Sequence, residues 1–152
     1  MADIVDAATR SRMMSGIRGS HTKPEIHIRR LLHRAGFRFR LHVRNLPGKP
    51  DIVLPRFRAV IFVHGCFWHG HDCHLFRLPT TRTGFWRTKI ARNKQVDVAA
   101  VSGLRQAGWR IAVVWECALK GRTRLPEPAI VEQLTAWLKT SSSALVVAGS
   151  KN

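Results

Sequence analysis

The stretch AVIFVHGCFWHGHDCH, residues 59 to 74, joins an apolar run to a segment rich in cysteine, histidine and large aromatic residues. Its first five residues are apolar throughout, which predicts a strand that is buried on both faces. A second apolar run, RIAVVW at 110 to 115, follows a long helical pattern. A crossover helix between two strands predicts that they pair in parallel. The quoted stretch therefore marks a central strand, and the cysteines and histidines begin where that strand ends.

Shorter strands extend this sheet on the other side. Residues 37 to 43 alternate apolar and polar, and residues 51 to 54 form a short strand after a Pro- and Gly-rich turn. Together with residues 59 to 63 they predict an antiparallel meander. The fold class is therefore α/β, with a mixed central sheet flanked by helices.

Apolar residues at helical spacing predict the remaining elements. Helices are expected at about residues 23 to 35, 85 to 104 and 127 to 139. In the long middle helix, the residues expected to face inward are Ile90, Val98, Val101 and Leu104. We predict a single domain over residues 1 to 140 that begins with a basic arm, residues 1 to 21. The Ser-rich residues 141 to 152 are expected to form a disordered tail.

The charge of the chain indicates a polyanionic partner. Lys and Arg number 26 against nine Asp and Glu, which gives a net charge of +17 over 152 residues. Such an excess costs self-repulsion, and its common use is nucleic-acid binding. No apolar run approaches the roughly 20 residues that span a bilayer, and the start lacks a signal-peptide pattern. We expect a cytoplasmic monomer that does not bind membranes.

The three cysteines favour a metal site over a disulfide framework, because their number is odd. If the strands at 59 to 63 and 110 to 115 are parallel neighbours, Cys117 meets the loop that holds Cys66 and Cys73. One histidine would complete a Cys₃His set typical of structural Zn²⁺. The candidates for that histidine are His69, His71 and His74, and His71 is favoured because it lies between the two loop cysteines. The alternative is three buried thiols without a metal.

A second set of residues is suited to hydrolytic chemistry. Asp51 begins a strand and could bind a hard cation such as Mg²⁺, which nucleases use at the scissile phosphate. His64 ends the adjacent strand, and His69 is a further acid/base candidate. Alternatively, Asp51 caps a turn and His64 is an ordinary loop residue. Glu25 could contribute a second carboxylate, although a capping box at the start of its helix is the stronger interpretation.

Large aromatic residues occupy loop or helix-start positions instead of strands: Phe67, Trp68 and Trp86. In a basic protein, exposed aromatic side chains can stack on bases or wedge between base pairs. The alternative is that each one packs in a small satellite core.

With these residues assembled, the chain resembles the Vsr endonucleases of bacterial very-short-patch repair. The segments that carry the resemblance are ATRSRMMSGIRG, LPGKPDIVLP, VIFVHGCFWHGHDCHLFRLPTTRTGFWRTKI and GWRIAVVWECALKGR. They cover most of residues 7 to 122. The resemblance implies a fold related to type II restriction endonucleases. It also implies nicking of one DNA strand on the 5′ side of the mispaired T in T:G mismatches, which arise when 5-methylcytosine deaminates.

The resemblance also implies roles for individual residues. Asp51 would bind Mg²⁺ with the backbone carbonyl of Val63, and His64 and His69 would activate water and assist the leaving group. Glu25 and Asn93 would be supporting polar residues. The zinc ligands that it implies are Cys66, His71, Cys73 and Cys117.

Further implications of the resemblance concern partners. Phe67, Trp68 and Trp86 would enter the DNA beside the mismatch, and the N-terminal arm would close over the duplex. MutL is a possible partner, and a nucleoid-associated location in a bacterium is expected. Two alternatives stay open: a non-catalytic zinc-containing DNA-binding module, and a related nickase with another mismatch or sequence specificity.

Overall fold

The computed structural model describes residues 22 to 150. The strands are β1 (Arg40–Leu41), β2 (Ile52–Leu54), β3 (Ala59–His64), β4 (Arg110–Trp115) and β5 (Ala144–Val147). The helices are α1 (Lys23–Arg34), α2 (Thr83–Gln106) and α3 (Glu127–Leu138). Short 3₁₀ turns follow β2 and β4, at Pro55–Phe57 and Glu116–Ala118.

The five strands form one mixed sheet in the order β1-β2-β3-β4-β5. The β1–β2 and β2–β3 pairs are antiparallel, which confirms the predicted meander. The β3–β4 pair is parallel, with Val63 opposite Val114 and His64 opposite Trp115. Because parallel strands end at the same edge, the loop after β3 lies beside the turn after β4. This pairing brings Cys117 to the cysteines at 66 and 73, as predicted.

Helices cover both faces of the sheet. Against one face, α1 and α3 bury a cluster that includes Ile28, Leu32 and Leu134. Against the other face, α2 contributes Ala100 and Leu104 to a smaller cluster. At about 25 cal/mol per Å² of apolar surface buried, such layers supply most of the stabilisation of a domain of this size. No helix between residues 22 and 150 is long and apolar enough to cross a membrane.

The predicted disordered tail is wrong where the structure describes it. Residues 144 to 147 form β5, which pairs in parallel with β4 and buries Val147 completely. Arg110 anchors this region, because its guanidinium donates five hydrogen bonds to backbone carbonyls. The acceptors are the carbonyls of Phe57, Trp137, Leu138 and Ser142. The Ser-rich run that precedes β5 is therefore a connection and not the start of a tail.

Two other predictions need correction. The strand expected at 37 to 43 is reduced to the two exposed residues of β1, because the chain leaves the sheet on both sides of Arg40–Leu41. Val98, expected to face inward on α2, is 70% exposed. Ile90 and Leu104 are buried as predicted, Val101 packs partly against the same cluster, and Ala100 joins the buried face. The predicted N-terminal arm lies outside the described residues.

Candidate active site and metal centre

A cleft of about 1580 Å³ opens where β3 ends, between α1 and the middle of α2. All five residues predicted to be catalytic line it: Glu25, Asp51, His64, His69 and Asn93. Basic side chains surround them, and those that line the cleft are Lys23, Arg44, Lys49, Lys89 and Lys120. A cleft with this balance of charge attracts phosphate groups. The structure therefore brings the predicted residues together in space.

Asp51 lies at the floor of the cleft, immediately before β2. Its Oδ2 accepts a hydrogen bond of 2.7 Å from the backbone N–H of Val63. Burial, and secondly the negative charge of Glu25, raises the pKa of Asp51 from 3.8 to about 7. A buried carboxyl with a second carboxylate beside it has an electrostatic demand for a cation. The burial of Asp51 and its bond to Val63 favour a cation site over a turn cap.

Glu25 is 2% exposed, although it belongs to the first turn of α1. Its backbone N–H donates to Thr22 Oγ1 at 3.3 Å, so the N-cap forms as predicted. Its carboxylate instead contacts Arg29 Nη2 at 3.0 Å and His42 Nε2 at 3.1 Å. The carboxylate therefore lines the cleft, with Arg29 and His42 as neighbours.

His64 and His69 are stacked, with ring centroids 3.8 Å apart and planes at 5°. Burial, with a smaller effect of His69, lowers the pKa of His64 to about 3. Its imidazole is consequently neutral at pH 7. His69 Nδ1 lies 2.6 Å from Asp97 Oδ2 on α2. An ionised carboxylate only accepts hydrogen bonds, so Nδ1 carries the proton and Nε2 is the basic nitrogen.

The sulfur and imidazole ligand atoms of Cys66, His71, Cys73 and Cys117 all lie within 4.8 Å of one another. His71 Nδ1 is 3.5 Å from the sulfur of Cys66 and 3.6 Å from that of Cys117. Burial raises the pKa of the Cys66 and Cys117 thiols and lowers that of His71. Such a set has the donor chemistry of a closed tetrahedral metal site.

Several contacts fix the geometry of this metal cluster. The His71 ring stacks on Trp115 at 4.1 Å, and Gly149 N–H donates to Cys117 Sγ at 3.3 Å. Gly70 has φ +62°, and a Cβ there would lie 2.7 Å from Cγ2 of Ile90. Only glycine lets the loop approach α2 this closely.

The three predicted wedge residues contact one another in a single cluster. Ring centroids of Phe67, Trp68 and Trp86 are 5.2 to 5.7 Å apart. Each ring is half-buried, between the exposed wedge and the satellite core that the sequence left as alternatives. Asn93 Nδ2 donates to the backbone carbonyl of Trp68 at 2.8 Å and thereby holds the loop against α2.

Comparisons with known proteins show the family of the chain. The family model for "DNA mismatch endonuclease Vsr" matches residues 2 to 75. The chain is 47% identical over 138 residues to the DNA mismatch endonuclease Vsr of Escherichia coli K12, covering 91% of this chain and 88% of the relative. The chain belongs to the Vsr family.

Further relatives carry the name of nicking enzymes. The type II nicking enzyme V.XorIIP of Xanthomonas oryzae pv. oryzae is 48% identical over 119 residues, covering 78% of this chain and 88% of that protein. V.NmeAIP of Neisseria meningitidis serogroup A is 42% identical over 122 residues, covering 80% and 87%. Membership in the Vsr family places the chain among the DNA endonucleases.

Three residues that contact the cleft's predicted side chains are missing from the sequence-based prediction. Asp97 pairs with His69, and Arg29 and His42 contact Glu25. Spacing gave a usable signal for one of them, because Glu25 and Arg29 are four residues apart on one helix face. Asp97 and His42 reach the cleft only through the tertiary fold.

Proposed function

We propose that this chain is a Mg²⁺-dependent, strand-specific DNA endonuclease. It nicks on the 5′ side of the mispaired T in T:G mismatches that arise from deamination of 5-methylcytosine. The observation that carries the proposal is the convergence of Asp51, Val63 and the His64–His69 stack in one basic cleft. Membership in a family of mismatch endonucleases supports the same conclusion.

Asp51 and the backbone carbonyl of Val63 would hold Mg²⁺. In extended backbone, the N–H and C=O of one residue point to the same edge of the strand, as in a hydrogen-bonded antiparallel pair. Since the Val63 N–H is directed at Asp51, its carbonyl faces the same side. When bound, the ion neutralises charge on the scissile phosphate and lowers the pKa of water.

His69 is the acid/base residue in this proposal, because Asp97 fixes its tautomer and leaves Nε2 to exchange a proton. His64 is neutral and stacked on His69, so in this proposal it orients that ring. Asn93 positions the loop backbone at Trp68. These assignments divide the roles that the sequence left shared between the two histidines.

The aromatic cluster of Phe67, Trp68 and Trp86 would enter the duplex beside the mismatch. Base–aromatic stacking contributes about 1–3 kcal/mol per base. A mismatched step costs less to unstack than a paired step, so entry of the rings contributes selectivity as well as affinity. Lysines around the cleft would bind phosphates and make the affinity salt-dependent.

Zn²⁺ would be held by Cys66, His71, Cys73 and Cys117, and it would brace the loop that carries both histidines and two of the aromatic residues. Its role is structural because four protein ligands leave no open position. A restriction-endonuclease-like fold, a monomeric state, assistance by MutL and a nucleoid-associated location stay predictions.

The test uses end-labelled duplexes with T:G, other single mismatches or full pairing, incubated with the chain in Mg²⁺ or without added Mg²⁺. We expect one nick, 5′ of the mispaired T, only with Mg²⁺. Binding without any cut would indicate the non-catalytic zinc module. A nick that depends on a different mismatch or surrounding sequence would indicate the related specificity.

A further inference from the structure

The loop after β3 folds into a tight turn, residues 65 to 71, which we call the His69 turn and which also carries Trp68. Its backbone closes on itself, because the N–H of His69 donates to the carbonyl of Gly65 at 3.2 Å. Such a turn leaves its first N–H groups without an acceptor in its own backbone. Cys66, its second residue, is completely buried, so its N–H needs an acceptor from elsewhere in the chain.

Glu116 supplies that acceptor. The N–H of Cys66 donates to Glu116 Oε1 at 3.2 Å, although the two residues are 50 positions apart. Glu116 begins the 3₁₀ turn after β4. Because β3 and β4 are parallel, with His64 opposite Trp115, the residues that follow the two strands lie side by side. A hydrogen bond to a carboxylate is stronger than one to a neutral acceptor, so this contact ties the start of the His69 turn to the end of β4.

Two side chains from other elements hold the backbone of the His69 turn. Glu116 accepts from its second residue, and Asn93 Nδ2 donates to the carbonyl of its fourth residue, Trp68, at 2.8 Å. A Cβ on Gly65 would lie 3.5 Å from Trp68 Cδ1 and 3.9 Å from Glu116 Oε1. The carboxylate therefore lies against the part of the turn that leads directly into Trp68 and His69.

Binding of DNA does not explain the charge of Glu116. Glu116 lines the cleft, where a negative charge repels phosphate groups. Its Oε2 lies 3.8 Å from Lys120 Nζ, but the Lys120 side chain is 69% exposed, so this ion pair offsets little of the charge. A residue that weakens the binding of a polyanion, and that also bonds to the backbone of the His69 turn, is suited to positioning that turn.

We propose, resting on the proposed nicking activity, that Glu116 is a positioning residue for that reaction: its carboxylate fixes the start of the His69 turn and thereby sets the imidazole of His69 for proton transfer. The proposed zinc ligands hold the turn by its side chains, whereas Glu116 holds its backbone. Without the carboxylate oxygen, the N–H of Cys66 loses its acceptor and the orientation of His69 is no longer fixed. Trp68 keeps its hydrogen bond from Asn93, so the nicking rate should fall without a loss of duplex affinity.

The test measures single-turnover nicking of an end-labelled T:G duplex by the zinc-loaded full chain in Mg²⁺, and duplex affinity without added Mg²⁺. We expect Glu116→Ala to lower the nicking rate by about 10-fold or more, at a duplex affinity equal to or above that of the unsubstituted chain. Glu116→Gln keeps an oxygen acceptor without the charge, so its rate should stay within about threefold of the unsubstituted chain. Glu116→Asp keeps the charge but shortens the side chain by one methylene, so its rate should fall. Glu132→Ala removes an exposed carboxylate on α3 and is the matched control, which should change neither quantity.

A Glu116→Gln variant as slow as Glu116→Ala would overturn the proposal, because the charge and not the acceptor would then matter. Loss of zinc in Glu116→Ala, measured by metal analysis, would also overturn it, since Glu116 would then support the metal cluster. If thermal unfolding shows that Glu116→Ala does not fold, Glu116→Gln and Glu116→Asp decide, and equal rates for those two would contradict the positioning role. If the unsubstituted chain makes no nick, the proposed function fails and this proposal fails with it. If Glu116→Ala nicks as fast as the unsubstituted chain, only the positioning role of Glu116 fails.

Discussion

Replacing Asp51 by Asn should stabilise the fold while it removes activity. The pKa of Asp51 is about 7 in the folded chain against 3.8 as the ordinary value. Because of this pKa difference, ionisation of the buried carboxyl lowers the free energy of unfolding by at most about 4 kcal/mol at neutral pH. In the variant Arg29 loses one of its two negative neighbours, so we expect a net gain of about 1–3 kcal/mol in the free energy of unfolding. For a chain of this length that corresponds to a rise in Tm of about 3–8 °C.

The pH dependence separates this electrostatic effect from a packing effect. The folded-state pKa lies above the unfolded value, so between the two the folded chain binds the proton more strongly. The contribution of Asp51 to stability is therefore complete below pH 3.8 and is lost as the pH rises towards 7. The advantage of Asp51→Asn should grow between pH 5.5 and 7 and level off above that range.

The assay is urea unfolding at pH 5.5, 7 and 8.5 without added Mg²⁺ or chelator, so that the zinc content stays constant. Glu132→Gln on the exposed side of α3 is the control, and we expect it to change stability little at any pH. An Asp51→Asn variant that is less stable than the unsubstituted chain at pH 8.5, or an advantage that does not vary with pH, would refute the reasoning. Added Mg²⁺ should stabilise the unsubstituted chain more than the variant.

Four further predictions concern other parts of the molecule. Cys117→Ser should lower the zinc content from about one ion per chain to near zero by metal analysis, because it removes one of four ligands; retained zinc would contradict the assigned set. Asp97→Asn should slow nicking by about 100-fold or more at unchanged duplex affinity, since the tautomer of His69 is no longer fixed; an unchanged rate would exclude that role. Trp68→Ala should reduce discrimination between T:G and paired duplex by about 10-fold or more in competition binding, with zinc content unchanged; equal discrimination would count against entry of the ring. Arg110→Met should lower the free energy of unfolding by about 1–3 kcal/mol in urea, because five hydrogen bonds to carbonyls are lost; a neutral result would mean that water replaces them.

The central part of the fold was predictable because local pattern and topology agree there. Residues 59 to 64 and 110 to 115 are apolar runs on either side of one long helix, which restricts them to parallel pairing. This parallel pairing implies that Cys117 lies close to Cys66. His71 was favoured over His69 and His74 because it lies between the two loop cysteines, and its imidazole does lie within 4.8 Å of all three sulfurs.

Other features depend on interactions that no local pattern encodes. Strand β5 is only four residues long and follows a Ser-rich run, so its pairing with β4 and the support from Arg110 were not predictable. Val98 fits an apolar helical pattern but lies on the solvent side, since the register of α2 is set by its contacts with the sheet. Asp97 lies 28 residues from His69, and only the packing of α2 on the loop brings them together.

The most direct measurement compares Asp51→Ala with the unsubstituted chain on one end-labelled T:G duplex in Mg²⁺, with binding and nicking measured on the same samples. The account predicts that Asp51→Ala binds the mismatched duplex with nearly unchanged affinity and produces no nick, while the unsubstituted chain cuts one strand 5′ of the mispaired T. Normal nicking by Asp51→Ala in Mg²⁺ would contradict the central claim that this carboxylate organises the metal-dependent hydrolysis.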